Sequence, residues 1–226
     1  IQGLPFFQPA YNSKNRIRVL GYEGARAGLG AVLSGQMETP FFPINLRDVP
    51  GNIAIEDLKD MEFQIGKVRV QAKFLNHPGI CAGYRLFTST GSLAFLPDNE
   101  PYELVPTKLQ DRPDVSPEEA RAYARSERAK LVDFLAECDL LLIDTQYTDE
   151  EYAAHVGWGH GSISSVVSLA LDAKVGRLML FHHDPNHDDV MVDEMVDRAR
   201  HLVLESGKRL EVEAAREGSE VWLDGS

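Results

Sequence analysis

Clusters of lysine and arginine are missing from this 226-residue chain, in which 35 acidic residues face 23 basic ones. A formal net charge of -12 argues against a protein that grips long nucleic acid by charge, since such proteins present a basic face that displaces counterions from phosphates. A small anionic substrate stays open if a metal supplies local positive charge. Cysteine is scarce as well. Cys81 and Cys138 are the whole complement, which does not fit a disulfide scaffold and suits a reducing, cytoplasmic setting. No apolar run approaches a membrane span of about 20 residues, and the first residues, "IQGLPFF", carry no basic n-region. Repeats and low-complexity tracts are also absent. What is present, 43% hydrophobic and 26% charged residues, is ordinary for a globular protein able to bury a sizeable core.

The elements follow from pattern. "RIRVLGY" has strand character, and Ala25 to Gln36 reads as a short helix weakened by Gly28 and Gly30. "EFQIGKVRVQAKFL" and "AGYRLFTSTGSLAFL" read as an antiparallel meander with glycine at the turns. "SPEEARAYARSERAKLVDFLAECD" then predicts a helix, with Ser116 as N-cap and Pro117 in its first turn. "DLLLID" and "GRLMLF" are short apolar runs expected of strands covered on both faces. "SISSVVSLALDAKV" and "DDVMVDEMVDRARHLVLES" are further helices, the latter with Val192, Met195, Val196, Ala199 and Leu202 along one face and Gly207 beyond its end. "LEVEAAREGSEVWL" closes with strand-like alternation. Strands first, then helix and strand in alternation, predict an α/β (α+β) sheet with covering helices.

Four strings place polar or metal-capable residues just after apolar strands: "FLNHPG" (His77), "LAFLPDNEP" (Asp98), "LLLIDTQY" (Asp144) and "LMLFHHDP" (His182, His183). Sheets hold several loops toward one crevice at their strand ends, so ligand sites gather there. Histidine and carboxylate suit zinc, manganese or iron. Each string has a plainer reading: a turn histidine at His77, a turn acid at Asp98, a strand cap at Asp144, a polar helix start after His183. A fifth string, "GWGHGS" before a helix, combines glycines that allow close backbone approach with His160, a candidate proton donor. His155, His187 and His201 read as surface residues.

Taken in order, "NHPG", "PDNEP", "IDTQY", "GHGS" and "FHHDP" resemble the second half of the metallo-β-lactamase fold, in its phosphodiesterase and RNase Z-like branch. The resemblance implies an αββα sandwich and a hydrolase with two divalent metal ions, zinc first, with manganese or iron as alternatives. It implies His77, Asp98 and His182 as metal ligands, His160 as the catalytic histidine near the scissile phosphate, and His183 on the substrate side. His182 is preferred to His183 because it stands three before Pro185. The family's first metal motif, H-x-H-x-D-H, does not occur in the sequence. The expectation is therefore residues 1–226 as one metallo-β-lactamase-like domain incomplete at its N-terminus, whose complete parent is the enzyme. Two further departures from the family's pattern are Pro97 before Asp98 and Gly161 after His160.

The substrate this implies is a small nucleotide or related diester. The acidic balance points that way, and the link from Pro101 to Ser116 is too short and acidic to resemble the basic, glycine-rich arm with which RNase Z enzymes hold tRNA. No membrane partner is expected, and a homo-oligomer is left open. Hydrolysis of a thioester or lactone is the alternative within the superfamily. A metal-free regulatory or interaction module is the alternative outside enzymes.

Overall fold

A computed structural model describes residues 3–22, 28–104 and 115–223 of the chain. They divide into two compact units, Ile1–Met61 and Glu62–Ser226. The first unit holds β1 (Arg16–Gly21), α1 (Leu29–Gly35) and β2 (Asn52–Asp57). β1 and β2 pair in parallel; β2 was not predicted from the sequence. Ala10, Met37 and Val49 form a small core there, flanked by Tyr11, Ile17, Phe42, Leu46 and Ile53. Of the helix expected over Ala25 to Gln36, residues 25–27 lie outside the described residues. So do residues 105–114 of the link before Ser116.

The second unit carries seven strands in sequence order: β3 (Glu62–Ile65), β4 (Val68–Phe74), β5 (Ala82–Thr88), β6 (Gly91–Leu96), β7 (Leu140–Asp144), β8 (Arg177–Phe181) and β9 (Glu211–Ala214). β3 to β6 are antiparallel, the predicted meander, and β6 to β9 are parallel. Among the described residues the unit also has the α-helices α2 (Pro117–Leu135), α3 (Asp149–His155), α4 (Ile163–Asp172) and α5 (Asp189–Ser206). α2 begins as its sequence demands. The Ser116 side chain accepts from the Glu119 N–H at 3.2 Å, and the Glu119 carboxylate accepts from the Ser116 N–H at 2.9 Å, closing a capping box. Asp188 is the N-cap of α5, its side chain accepting from the Met191 N–H, and the helix stops before Gly207 with φ of 67°, a left-handed conformation glycine adopts at no steric cost.

α4 packs between α2 and α5. Alternate residues of the parallel strands, Ala94 and Leu96, Leu141 and Ile143, Leu178 and Leu180, Val212 and Ala214, enter one core with the helices. That face is fully buried. On the other face Phe95, Leu142 and Phe181 are half-buried, with Phe95 and Phe181 in edge-to-face contact at 5.1 Å. The last expected strand is shorter than its alternation suggests. β9 ends at Ala214, and Gly218 at φ 77° lies in a turn in which the Ser219 N–H donates to the Arg216 carbonyl.

Candidate active site

The topology brings four loops to one sheet edge. β4 runs antiparallel to β5 and β5 antiparallel to β6, so β4 and β6 point the same way. β7 and β8 run parallel to β6. The C-terminal ends of all four strands therefore open on one side, and they carry His77, Asp98, Asp144 and His182.

Asp98, His160 and His182 converge there, each offering a ligand atom within 4.8 Å of the others. His182 Nε2 lies 3.0 Å from Asp98 Oδ1, and the His160 and His182 rings lie 4.8 Å apart. His182 adopts φ of 61°, a left-handed backbone that costs a non-glycine residue about 1–3 kcal/mol and recurs at functional sites. Its Nδ1 is buried without a hydrogen-bond partner. An orphaned imidazole nitrogen in a set of two histidines and a carboxylate fits a divalent cation such as zinc by donor chemistry. The Cys81 thiol donates weakly to Asp98 Oδ2 at 3.6 Å. Burial, then the Asp98 charge, pushes that thiol up to about 11, so it stays protonated and can act as a donor.

Behind His160 stands Asp144, with no exposed surface. His160 Nδ1–H donates to Asp144 Oδ2 at 2.7 Å. The same carboxylate accepts from the N–H groups of Asn99 and Gln146, both at 3.1 Å. This fixes the ring and leaves Nε2 as the nitrogen free for chemistry. The hydrogen bond to Asp144 raises the His160 pKa, against the lowering effect of burial. Gly161 has its reason here as well: a Cβ would sit 2.4 Å from the Asp144 carbonyl oxygen.

His77 lies one ring further out, 5.8 Å from His160, and outside the group of three. Its Nδ1 is 3.1 Å from the Gly79 nitrogen and 3.4 Å from the Gly79 oxygen, so the backbone engages that nitrogen and Nε2 is left over. His183 does not join the cluster. It faces the segment after β9, with Nε2 3.4 Å from the Ala215 carbonyl, and burial lowers its pKa. His187, read as a surface residue, is a correction: its side chain is 6% exposed and its Nε2 donates to Glu151 Oε1 at 2.9 Å. His201 is exposed, paired with Glu205, and His155 stacks on Tyr147 at 4.4 Å. Of the nine residues "FHHDPNHDD", then, only His182 reaches the cluster. Asp184 closes a turn onto Asn186 and holds Gln146, and Asp188 caps α5.

No protein-family model matches the chain. Ribonuclease Z of Thermoplasma volcanium is 38% identical over 78 residues, which is 34% of this chain and 25% of that protein. The chain thus matches about a quarter of the length of its curated relatives. Among solved structures, human tRNase Z, short form, superposes with a TM-score of 0.59 at 14% identity, covering 98% of this chain and 73% of that one. The metallo-β-lactamase fold protein YhfI of Bacillus subtilis gives 0.58 at 14% identity, covering 89% and 63%. The chain has the metallo-β-lactamase fold. In this metallo-β-lactamase fold the residues that sequence reading passed over are Glu100 and Cys81. Glu100 stands two positions after Asp98 in "PDNEP" and is wholly buried. An acid flanked by asparagine and proline carries no periodic signal that would mark it as buried.

Proposed function

We propose that this chain is part of a metal-dependent hydrolase that cleaves small phosphodiesters, a nucleotide or related diester. The observation that carries the reading is the meeting of Asp98, His160 and His182 at the strand ends, with Asp144 behind His160. Asp98 and His182 would hold divalent metal, and His77 would supply the next ligand through its Nε2. When bound, the metal provides Lewis-acid stabilisation of charge developing on the phosphoryl oxygens.

The chain's own residues do the rest. Asp144 holds the His160 ring by its Nδ1–H and keeps Nε2 directed at the cluster. From Nε2 a proton passes to the departing oxygen, so a poor leaving group exits as an alcohol rather than an alkoxide. Cys81 steadies one oxygen of Asp98 by its S–H. The likeness to ribonuclease Z supports phosphodiester chemistry, and the net charge of -12 favours a small substrate over a long polyanion.

The test is a substrate panel on the full-length protein with zinc: a p-nitrophenyl phosphodiester, a cyclic nucleotide, a thioester and a lactone. Chelator-sensitive turnover of the diesters is expected. Turnover of the thioester or lactone alone would transfer the site to carboxylic-ester chemistry. No turnover and no bound zinc would overturn the hydrolase reading in favour of a metal-free module.

A further inference from the structure

We infer that Glu100 is the positioning residue of this site, its buried carboxylate fixing the loop that presents His160. The inference deepens the hydrolase reading and rests on it for its kinetic arm only.

Glu100 has no exposed surface, yet it makes a dense set of bonds. Its Oε1 accepts from the Tyr152 hydroxyl at 3.0 Å and the Gly157 N–H at 2.6 Å. Its Oε2 accepts from the Gly159 N–H at 3.1 Å. Through its backbone it also holds the loop bearing His77: the Glu100 N–H donates to the Asn76 carbonyl at 2.8 Å, and Asn76 Nδ2 donates to the Glu100 carbonyl at 3.0 Å. One residue therefore ties together the loops that carry His77, Asp98 and His160.

The loop needs such a tie. Gly157 and Gly159 adopt φ of 98° and 99°, outside any helix or strand, and both of their N–H groups turn to one point. Concavities of this kind accept an anion, and here the occupant is a carboxylate of the protein itself. The three donors require acceptors, because a buried donor without a partner costs about 1–3 kcal/mol. An amide in place of the acid would turn its own N–H₂ toward one of them. Gly159 is also pressed against the neighbouring loop, where a Cβ would lie 2.4 Å from His77 Cδ2 and 2.5 Å from Pro78 Cδ. His160 follows immediately. Its hold on Asp144 thus depends on where the two glycines are pinned, and a displacement of about 1 Å in a positioned catalytic group can cost roughly 10²-fold in rate.

The experiment compares the wild type with Glu100→Gln and the shorter acid Glu100→Asp in the full-length protein. The first readout needs no activity: the His160 Nδ1–H proton resonance, hydrogen-bonded to Asp144, in the zinc-free protein. It should be sharp in the wild type, lost in Glu100→Gln and weakened in Glu100→Asp. The second compares a p-nitrophenyl diester with an alkyl diester, with zinc added. Glu100→Gln should lose about 10²-fold in kcat on the alkyl substrate, with KM and zinc content unchanged. It should lose little on the p-nitrophenyl substrate, whose leaving group needs no proton. A persistent His160 resonance in Glu100→Gln with wild-type kinetics overturns the inference. Equal losses on both substrates together with loss of zinc do so too, since they mark a general structural role. If Glu100→Gln does not fold, Glu100→Asp decides by the same two readouts. If the wild type itself cleaves neither diester, the hydrolase reading has failed, and the resonance alone judges Glu100.

Discussion

His182 and His183 are chemically identical neighbours with opposite surroundings, and backbone conformation separates them. The left-handed backbone of His182 sends its ring to Asp98, while His183 turns to Ala215. In the full-length protein, His182→Ala should lower zinc content and turnover together, because a lost ligand reduces both affinity and Lewis acidity. His183→Ala should retain zinc, as read by metal analysis after dialysis. Reversed contents would move the ligand assignment one residue along. Asp144→Asn tests the support behind His160. The amide can no longer accept the Nδ1 proton in the same way, so turnover should fall by about 10²–10⁴-fold with zinc retained. Loss of zinc in that variant would mean that His160 acts chiefly as a ligand.

Elements are decided by their ends as much as by their faces. The capping box at Ser116 supplies acceptors for N–H groups that α2 cannot satisfy internally. Ser116→Ala should cost about 1 kcal/mol, a fall in Tm of about 2–4 °C for a chain of this size, measured by calorimetry with turnover unchanged. Gly159→Ala should behave differently. A side chain there meets His77 and Pro78 and sits at positive φ, so the loop before His160 must move. Strain of about 1–3 kcal/mol should appear as a lower Tm together with lost turnover. A variant as stable and active as wild type would show that the loop has room the packing does not reveal.

On the scale of the whole molecule, charge and topology set what can approach the site. On the proposed reading, a net charge of -12 favours a small diester over a polyanion. Precursor tRNA in excess should therefore fail to inhibit hydrolysis of a small diester at moderate salt, measured by initial rates. Strong inhibition that weakens as salt rises would reveal a basic binding face and return the reading to RNA. The fold itself rests on its central strands. Leu141 in β7 is wholly buried, and Leu141→Ala should cost about 2–5 kcal/mol, seen as a lower urea midpoint.

By itself the sequence determined the meander, the helices over Pro117–Leu135, Ile163–Asp172 and Asp189–Ser206, and the two buried strands that lead to Asp144 and His182. These are local matters of periodicity, caps and breakers, and "SPEE" or "DD…G" states them within a few residues. It also marked Asp98, His160 and His182 as chemistry-bearing, because strand ends are legible one at a time. Only the tertiary structure decided which groups meet. Asp98, His160 and His182 come from three loops separated by many residues, and their distances depend on strand direction and register. The same holds for Asp144, legible as a strand end but defined by its bond to His160, and for His187, polar in its local sequence yet buried against Glu151. Glu100 is the extreme case. Nothing in "PDNEP" distinguishes a turn acid from a buried one, because burial is conferred by Tyr152, Gly157 and Gly159, more than fifty positions away.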